Sequence, residues 1–390
     1  MERKVYLDNA ATTMVRPEVV ETMNKYYTEL YGNPSSIYEF GQKAKKALGS
    51  ARETVAGIIN ADTDEIYFTG SGSEADNWAI KGVAEKYSSK GKHIITSKIE
   101  HHAILHSCEY LEKNGFEVTY LEVDEYGMIS LDDLKTAIKE ETILITIMFA
   151  NNEIGTIEPV KEIGAIAKEN NIFFHTDAVQ AFGHIPIDVE EMNIDMLSAS
   201  AHKINGPKGV GMLYIKKGIR LENLIHGGAQ ERKMRAGTEN VPGIMGFAKA
   251  VEIAGKTMDE SIKKMTVLRD RFMKLIPERI DNAKLNGHPV KRLPGNVNFS
   301  FEFIEGESLL LYLDMDGISG SSGSACTSGA LDPSHVLMGI GLAHEIAHGS
   351  LRLSLSDFNT EEEVDYTVEK LVNVVDRLRQ MSPLYTGRRK

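Results

Sequence analysis

Ile143-Leu-Ile-Thr-Ile-Met-Phe149, then a Gly- and Pro-bearing turn, then an amphipathic stretch over 160–169, then Ile172-Phe-Phe-His-Thr176, decides the fold of this chain. A near-continuous apolar run reads as a strand buried on both faces, and a helix between two such runs reads as a parallel crossover. The same alternation extends outward. Strands are expected over 66–69, 93–97, 117–121, 143–149, 172–176, 195–200 and 210–215. Amphipathic stretches over 74–87, 101–113, 131–139 and 160–169 lie between them. The pattern predicts an α/β protein with a mostly parallel seven-stranded sheet covered on both faces.

Past about residue 255 the pattern changes. A charge-rich helical stretch (258–276) leads to a strand over 296–303, a helix over 307–313, a Gly/Ser run over 317–329, a strand over 351–355 and a helix over 360–380. This reads as a smaller α+β domain, with the boundary near 255–260. The Gly/Ser run is the one low-complexity stretch, and no internal repeat is present.

The chain has 390 residues, 42% of them hydrophobic and 26% charged, which suits a globular protein with a large core. A formal charge of −12 argues against nucleic acid as a partner. No apolar run approaches the roughly 20 residues of a membrane span, and the first residues lack the apolar core of a secretory signal. Two cysteines exclude a disulfide framework, and the expected location is cytoplasmic.

Four motifs could carry chemistry. Thr69-Gly-Ser-Gly-Ser-Glu-Ala-Asp76 joins a strand to a helix, and its glycines, helix N-terminus and Ser73 hydroxyl suit an anion. It also matches a dinucleotide fingerprint, Gly70-x-Gly72-x-x-Ala75, but the nearest candidate for the acid at a following strand end, Glu100, lies beyond the expected spacing. His175-Thr-Asp177-Ala-Val-Gln180 ends a buried strand. Asp177 there suits either a protonated pyridine nitrogen or a helix N-cap. Ser198-Ala-Ser-Ala-His-Lys203 places a lysine at a strand end before a Gly/Pro turn, where desolvation favours a Schiff-base amine over a snorkelling surface lysine; Lys208, inside the turn, is expected in solvent. Gly320-Ser-Ser-Gly-Ser-Ala-Cys326-Thr-Ser-Gly329 sets a thiol among small polar residues, in contrast to Cys108 on an apolar helix face. A loop of this length could carry the thiol over 10 Å, by roughly 3.3 Å per residue. His344-Glu-Ile-Ala-His348 spells a zinc-protease pattern without a third ligand nearby, so no metal is expected.

These motifs occur in one order with Asp8-Asn-Ala-Ala-Thr-Thr13, Gly32-Asn-Pro-Ser-Ser36, Glu100-His-His-Ala103, Asn151-Asn-Glu-Ile-Gly155, Gly227-Gly-Ala-Gln230 and Met234-Arg-Ala-Gly-Thr238. From about residue 5 to 380 the chain closely resembles the NifS/IscS-type cysteine desulfurases, in the class V branch of fold-type-I pyridoxal-phosphate (PLP) enzymes. The long Ser-Ser-Gly-Ser-Ala-Cys loop is similar to that of the group I members. Where that family usually has a His near Tyr38 and Gly-Gly-Gly-His or Gly-Gly-Gly-Gln at 227–230, this chain departs.

The resemblance implies a PLP fold of type I, with a large cofactor-binding domain over 16–258. A small domain of 1–15 and 259–390 would carry the Cys loop over about 317–333. It implies conversion of L-cysteine to L-alanine with sulfur passed to Cys326 as a persulfide, another class V PLP activity being the alternative. Lys203 would bond the cofactor and move the Cα proton. Asp177 would pair with the ring nitrogen, Gln180 with the phenolic oxygen, and His101 would stack on the ring as acid/base. Gly72, Ser73, Ser200 and His202 would hold the phosphate, and Thr238 would reach the phosphate of a neighbouring subunit in a homodimer. Asn152 and Arg352 would bind substrate; on its own residues, Arg352 reads as a strand salt bridge. A sulfur-acceptor protein, such as an iron–sulfur scaffold, is the implied partner.

Overall fold

The computed structural model describes residues 3–322, 333–383 and 385. Seven strands form the central sheet in the order β2-β8-β7-β6-β5-β3-β4. They are β2 (Ile66–Thr69), β3 (His93–Ser97), β4 (Glu117–Leu121), β5 (Thr142–Thr146), β6 (Phe173–Asp177), β7 (Met196–Ser200) and β8 (Gly211–Ile215). All neighbours are parallel except at β8, which runs antiparallel to both β2 and β7.

Side chains alternate faces along each strand, so a sheet with two apolar faces needs helices on both. Ile94, Leu144, Met196 and Leu213 join one core with Trp78, Ile80 and Val83 of α3 (Gly72–Tyr87) and Ile104 of α4 (His102–Lys113). Their neighbours Ile95, Ile145, Leu197 and Met212 face a second core on the other side. That side is closed by α2 (Glu39–Gly57), α6 (Val160–Glu169) and the start of α8 (Val241–Arg279), with α1 (Pro17–Thr28) packed on α8 and α5 (Leu131–Ala137) beside α6.

The helix expected over 258–276 is the second half of the 39-residue α8. Its early residues, from Val241 to Val251, pack in the sheet's core, while Met265, Leu268, Phe272 and Ile276 pack in a separate core. The interval 255–260 lies inside this continuous helix. The separate core belongs to a three-stranded antiparallel sheet of β9 (Ala283–Leu285), β10 (Asn296–Phe301) and β12 (Ser350–Ser354), covered by α9 (Gly306–Met315) and α12 (Glu361–Met381). β1 (Val5–Tyr6) pairs in parallel with β11 (Ile318–Ser319), so the start of the chain joins this second core. Thr360 caps α12 reciprocally with Glu363, a capping box that fixes where this helix starts.

Three shorter helices are also described: α7 (Gln230–Lys233), α10 (His335–Gly339) and α11 (His344–His348). In α7, Glu231, Arg232 and Lys233 all have positive φ, at 43°, 57° and 71°. Such strain in non-glycine residues persists only when neighbours dictate it. Here Arg52 grips the buried Glu231 with both guanidinium nitrogens, at 2.7 and 2.8 Å, and Phe68 N–H donates to the same carboxylate.

Candidate active site

In an open α/β sheet, ligands collect at the carboxyl ends of the strands. Here those ends, with the N-terminal segment and β12, enclose a cavity of about 430 Å³. Ten of the expected site residues line it: Gly72, Ser73, His101, Asn152, Asp177, Gln180, Ser200, His202, Lys203 and Arg352. Thr238 does not; it is exposed, on the segment after α7. Cys326 lies outside the described residues, although Ser321, five positions before it, lines the cavity.

Lys203 closes the single 3-10 turn that follows β7. Its Nζ donates to the carbonyls of Ala10 and Ala11, the latter at 2.9 Å. Lys208, its rival in sequence, is exposed. Gln180 Nε2 donates to the same Ala10 carbonyl at 3.0 Å, and Thr13 Oγ1 donates to the carbonyl of His202 at 2.8 Å. The segment 8–13 is therefore a wall of the site.

Asp177 ends β6, buried, and accepts from Val179 N–H at 2.9 Å. Burial pushes its carboxyl up, opposed by His101, the Val179 N–H and Lys203. His101 is the N-cap of α4: its Nδ1 accepts from Ala103 N–H at 3.1 Å, which leaves the proton on Nε2 in the neutral ring. Burial holds its pKa below the ordinary histidine value. His202 is lowered further, to about 4, by burial and the nearby Lys203 and Lys208, and its Nδ1 meets Thr12 Oγ1 at 3.1 Å.

At the start of α3, Ser71 caps the helix by accepting from Glu74 N–H, and the first-turn amides have no partners within the helix. A Cβ on Gly72 would lie 2.6 Å from Val179 Cγ2, so the glycine lets this helix end pack closely on the segment that follows β6. Arg235 braces the helix with a forked pair to Glu74, at 2.8 and 3.1 Å. On the opposite wall, the buried Arg352 donates to Asp8 Oδ1 at 2.8 Å and to the Asn152 carbonyl at 3.1 Å. The salt-bridge reading of Arg352 and its place in the cavity both hold.

PLP is an aromatic ring with a basic nitrogen, a phosphate and an aldehyde. The residues fit it: an amine at Lys203, a buried carboxylate at Asp177, an imidazole at His101, and a glycine-dependent helix N-terminus with Ser73, Ser200 and His202 nearby.

Asp8 and Asp76 also line the cavity without having been marked as site residues. Asp76 lay on an otherwise apolar helix face with Ala75, Ala79, Ile80 and Val83, a pattern that could have exposed it. Among the described residues, Asp76, His101 and Asp177 form the one group of three side chains whose ligand atoms converge closely enough for a metal. His102, His106 and His335 have neighbouring rings but do not form such a group. His344 and His348 stand 4.5 Å apart between ring centroids on the five-residue α11, with no third partner in such a group. A second cavity, behind Gln180 and beneath α8, is lined by Thr257, Met258 and Met265 and holds the paired Arg16 and Asp357.

Residues 5–367 match the family model described as Aminotransferase class-V. A cysteine desulfurase IscS of Clostridium botulinum (strain Hall) is 60% identical over 387 residues, 99% of this chain and 98% of that protein. One of Methanosarcina thermophila is 60% identical over 382 residues, 98% of this chain and 94% of that protein. Among solved structures, a NifS-like protein superposes with a TM-score of 0.91 at 41% identity, over 96% of this chain and all of that one. A structure of SspA in complex with cysteine superposes with a TM-score of 0.82 at 39% identity, over 92% of this chain and all of that one.

Proposed function

The chain belongs to the class-V aminotransferase family and is a cysteine desulfurase, and from that premise we propose how its residues divide the work. The convergence of Lys203, Asp177 and Arg352 on one cavity carries the reading. An amine, a carboxylate and a guanidinium meet there around a space that suits an aromatic ring and an amino acid together.

The cofactor is pyridoxal 5'-phosphate, which when bound supplies a covalent anchor for an amine and a sink for the electron pair left at Cα. Lys203 holds it, then serves as the base that removes the Cα proton and returns a proton to carbon. Asp177 would pair with the ring nitrogen, and Gln180 would hydrogen-bond the phenolic oxygen. Gly72, Ser73, Ser200 and His202 hold the phosphate, where helix amides and hydroxyls favour an anion. Arg352 and Asn152 orient cysteine, with Arg352 exchanging Asp8 for the substrate carboxylate. His101, with its proton on Nε2, exchanges a proton with the substrate thiol.

Cys326, as thiolate, attacks the substrate Sγ. The new S–S bond forms as Cβ–Sγ breaks, its electron pair stays on carbon, and Cβ takes a proton to give alanine. The persulfide passes to a second protein, of which an iron–sulfur scaffold is our choice. We place the enzyme in the cytoplasm; among the described residues no helix is long and apolar enough to cross a membrane. The exposed Thr238, absent from its own cavity, supports a homodimer in which it meets the neighbour's phosphate. We take 16–258 as the cofactor domain and 1–15 with 259–390 as the small domain. Purified protein given cysteine and a thiol reductant should release alanine and sulfide in equal amounts. A keto acid in place of alanine would point to an aminotransferase instead.

A further inference from the structure

Beneath the cavity lies an acid to which the proposed chemistry assigns no part. Asp76, on the buried face of α3, is 1% exposed, and its Oδ1 has no hydrogen-bond partner among the described residues. Its polar surroundings come from four elements. β6 brings His175, whose Nε2 is 3.8 Å from Oδ1, and Asp177; β7 brings Ser198. The segment after β3 brings Glu100 and His101, and the turn after β7 brings Lys203 across the cavity. Asp76, His101 and Asp177 each place a ligand atom within 4.8 Å of the others.

Two carboxylates this close and this deeply buried cannot both hold a charge, so one keeps a proton. The neighbours decide which one. Asp177 has the Val179 N–H at 2.9 Å and faces Lys203 and His101. Asp76 is favoured in its charged form by the Ser198 hydroxyl, and the adjacent His175 is a ring that burial keeps neutral. Burial and Asp177 together push Asp76 well above the ordinary carboxyl range. Behind it runs a chain: Thr146 Oγ1 to His175 Nδ1 at 2.9 Å, and His175 Nε2 to Ser198 Oγ at 2.9 Å. If Thr146 donates, each hydrogen bond passes its polarity on, and Ser198 donates to Asp76. The acid's own O–H is then the free end of the chain, and Asp177 places a carboxylate oxygen within 4.8 Å of the acid.

We propose that Asp76 is a neutral carboxylic acid that ends the Thr146–His175–Ser198 chain and acts as a positioning residue. It keeps the negative charge on Asp177 and thereby the proton on the ring nitrogen of the cofactor. This rests on the reading of Asp177 given above. A donor facing a carboxylate stabilises its charged form, so a proton shared with the ring nitrogen stays on the ring. A second carboxylate would instead compete for that nitrogen.

The test compares Asp76→Asn, which keeps a neutral donor, with Asp76→Leu, which keeps bulk alone. Infrared difference spectra of the cofactor-free proteins should show a protonated-carboxyl band in the parent that is missing in Asp76→Asn. With 15N-labelled cofactor, the ring nitrogen should be protonated at neutral pH in the parent and Asp76→Asn, but not in Asp76→Leu. Asp76→Asn should keep kcat within about threefold, while Asp76→Leu loses about a hundredfold in kcat with little change in KM. The proposal fails if the parent lacks the band, if the band survives in Asp76→Asn, or if the Asp76→Leu ring nitrogen matches the parent's. If Asp76→Leu does not fold, the infrared comparison still decides. A parent that binds no borohydride-reducible chromophore and makes no alanine would instead overturn the functional reading itself.

Discussion

Arg352 and Asp8, 344 residues apart in sequence, form a 2.8 Å ion pair at the mouth of the cavity. The guanidinium is buried and its Nε has no partner among the described residues, which leaves donor capacity for a carboxylate in the cavity. Arg352→Ala should lower kcat/KM for cysteine by at least about 30-fold, mainly through KM, because truncating one partner of a buried charge pair costs about 2–5 kcal/mol. Asp8→Asn removes the internal competitor and should lower KM while reducing stability. Alanine formation against cysteine concentration, with a urea titration alongside, measures both.

Two lysines near the strand end separate function from surface. Lys203→Ala should lose the borohydride-reducible visible chromophore and slow alanine formation by at least about 10²–10⁴-fold. The exposed Lys208→Ala should leave both intact. A chromophore that survived in Lys203→Ala would assign the amine elsewhere.

Cys326→Ser should bind the cofactor as the parent does but release no sulfide above background. Unchanged turnover would remove the thiol from the reaction and return the chain to the aminotransferases.

Burial sets His175 at about 3 and His202 at about 4, against an ordinary 6.5. Between these values the unfolded chain binds more protons than the folded one, so stability falls as the pH falls. The histidine contribution is complete above about 6.5 and drains away toward 3–4. Glu153, raised to about 7 by burial, works the other way, contributing below about 4.5 and losing that as the pH rises through 7. The comparison that isolates the histidine is therefore parent against His175→Gln. Going from pH 7 to 4, the parent should lose on the order of a few kcal/mol more than the variant, read from urea midpoints.

Arg52→Ala should destabilise the protein by about 3–5 kcal/mol, since it strands the Glu231 carboxylate and the left-handed turn that carries it. Thermal unfolding of Arg52→Ala, and of Arg52→Ala/Glu231→Gln, should show that the second change recovers part of the loss.

The sheet was legible because strands buried on both faces leave continuous apolar runs. The strands expected over 66–69, 93–97 and 117–121 have the observed bounds, and the others differ by one to three residues at one or both ends. In β5 the run 147–149 leaves the ladder but still bonds back to β6, through Ile147 N–H to His175 and Phe149 N–H to Asp177. Helix α8 was read only in its charged half, because Gly243, Gly246 and Gly255 blur the periodicity of the rest. Helices α1 and α2 were not anticipated; α1 buries a single residue fully, Val19, which leaves little apolar stripe to read. The polar site residues were recognisable as ordered motifs, whereas their partners were not. Asp8 reads as a strand-end acid, and the apolar face around Asp76 hints at its burial without naming its partners, because those partners come from elements far away in sequence.

The ion pair across 344 residues also has a consequence for synthesis. At about 5–20 residues per second a ribosome needs roughly 20–70 s between making Asp8 and making Arg352. Throughout that interval the nascent chain lacks the cation proposed to grip its substrate. The proposed grip on the substrate carboxylate is thus completed only after the chain has been made through residue 352, and until then Asp8 is held by no guanidinium from β12.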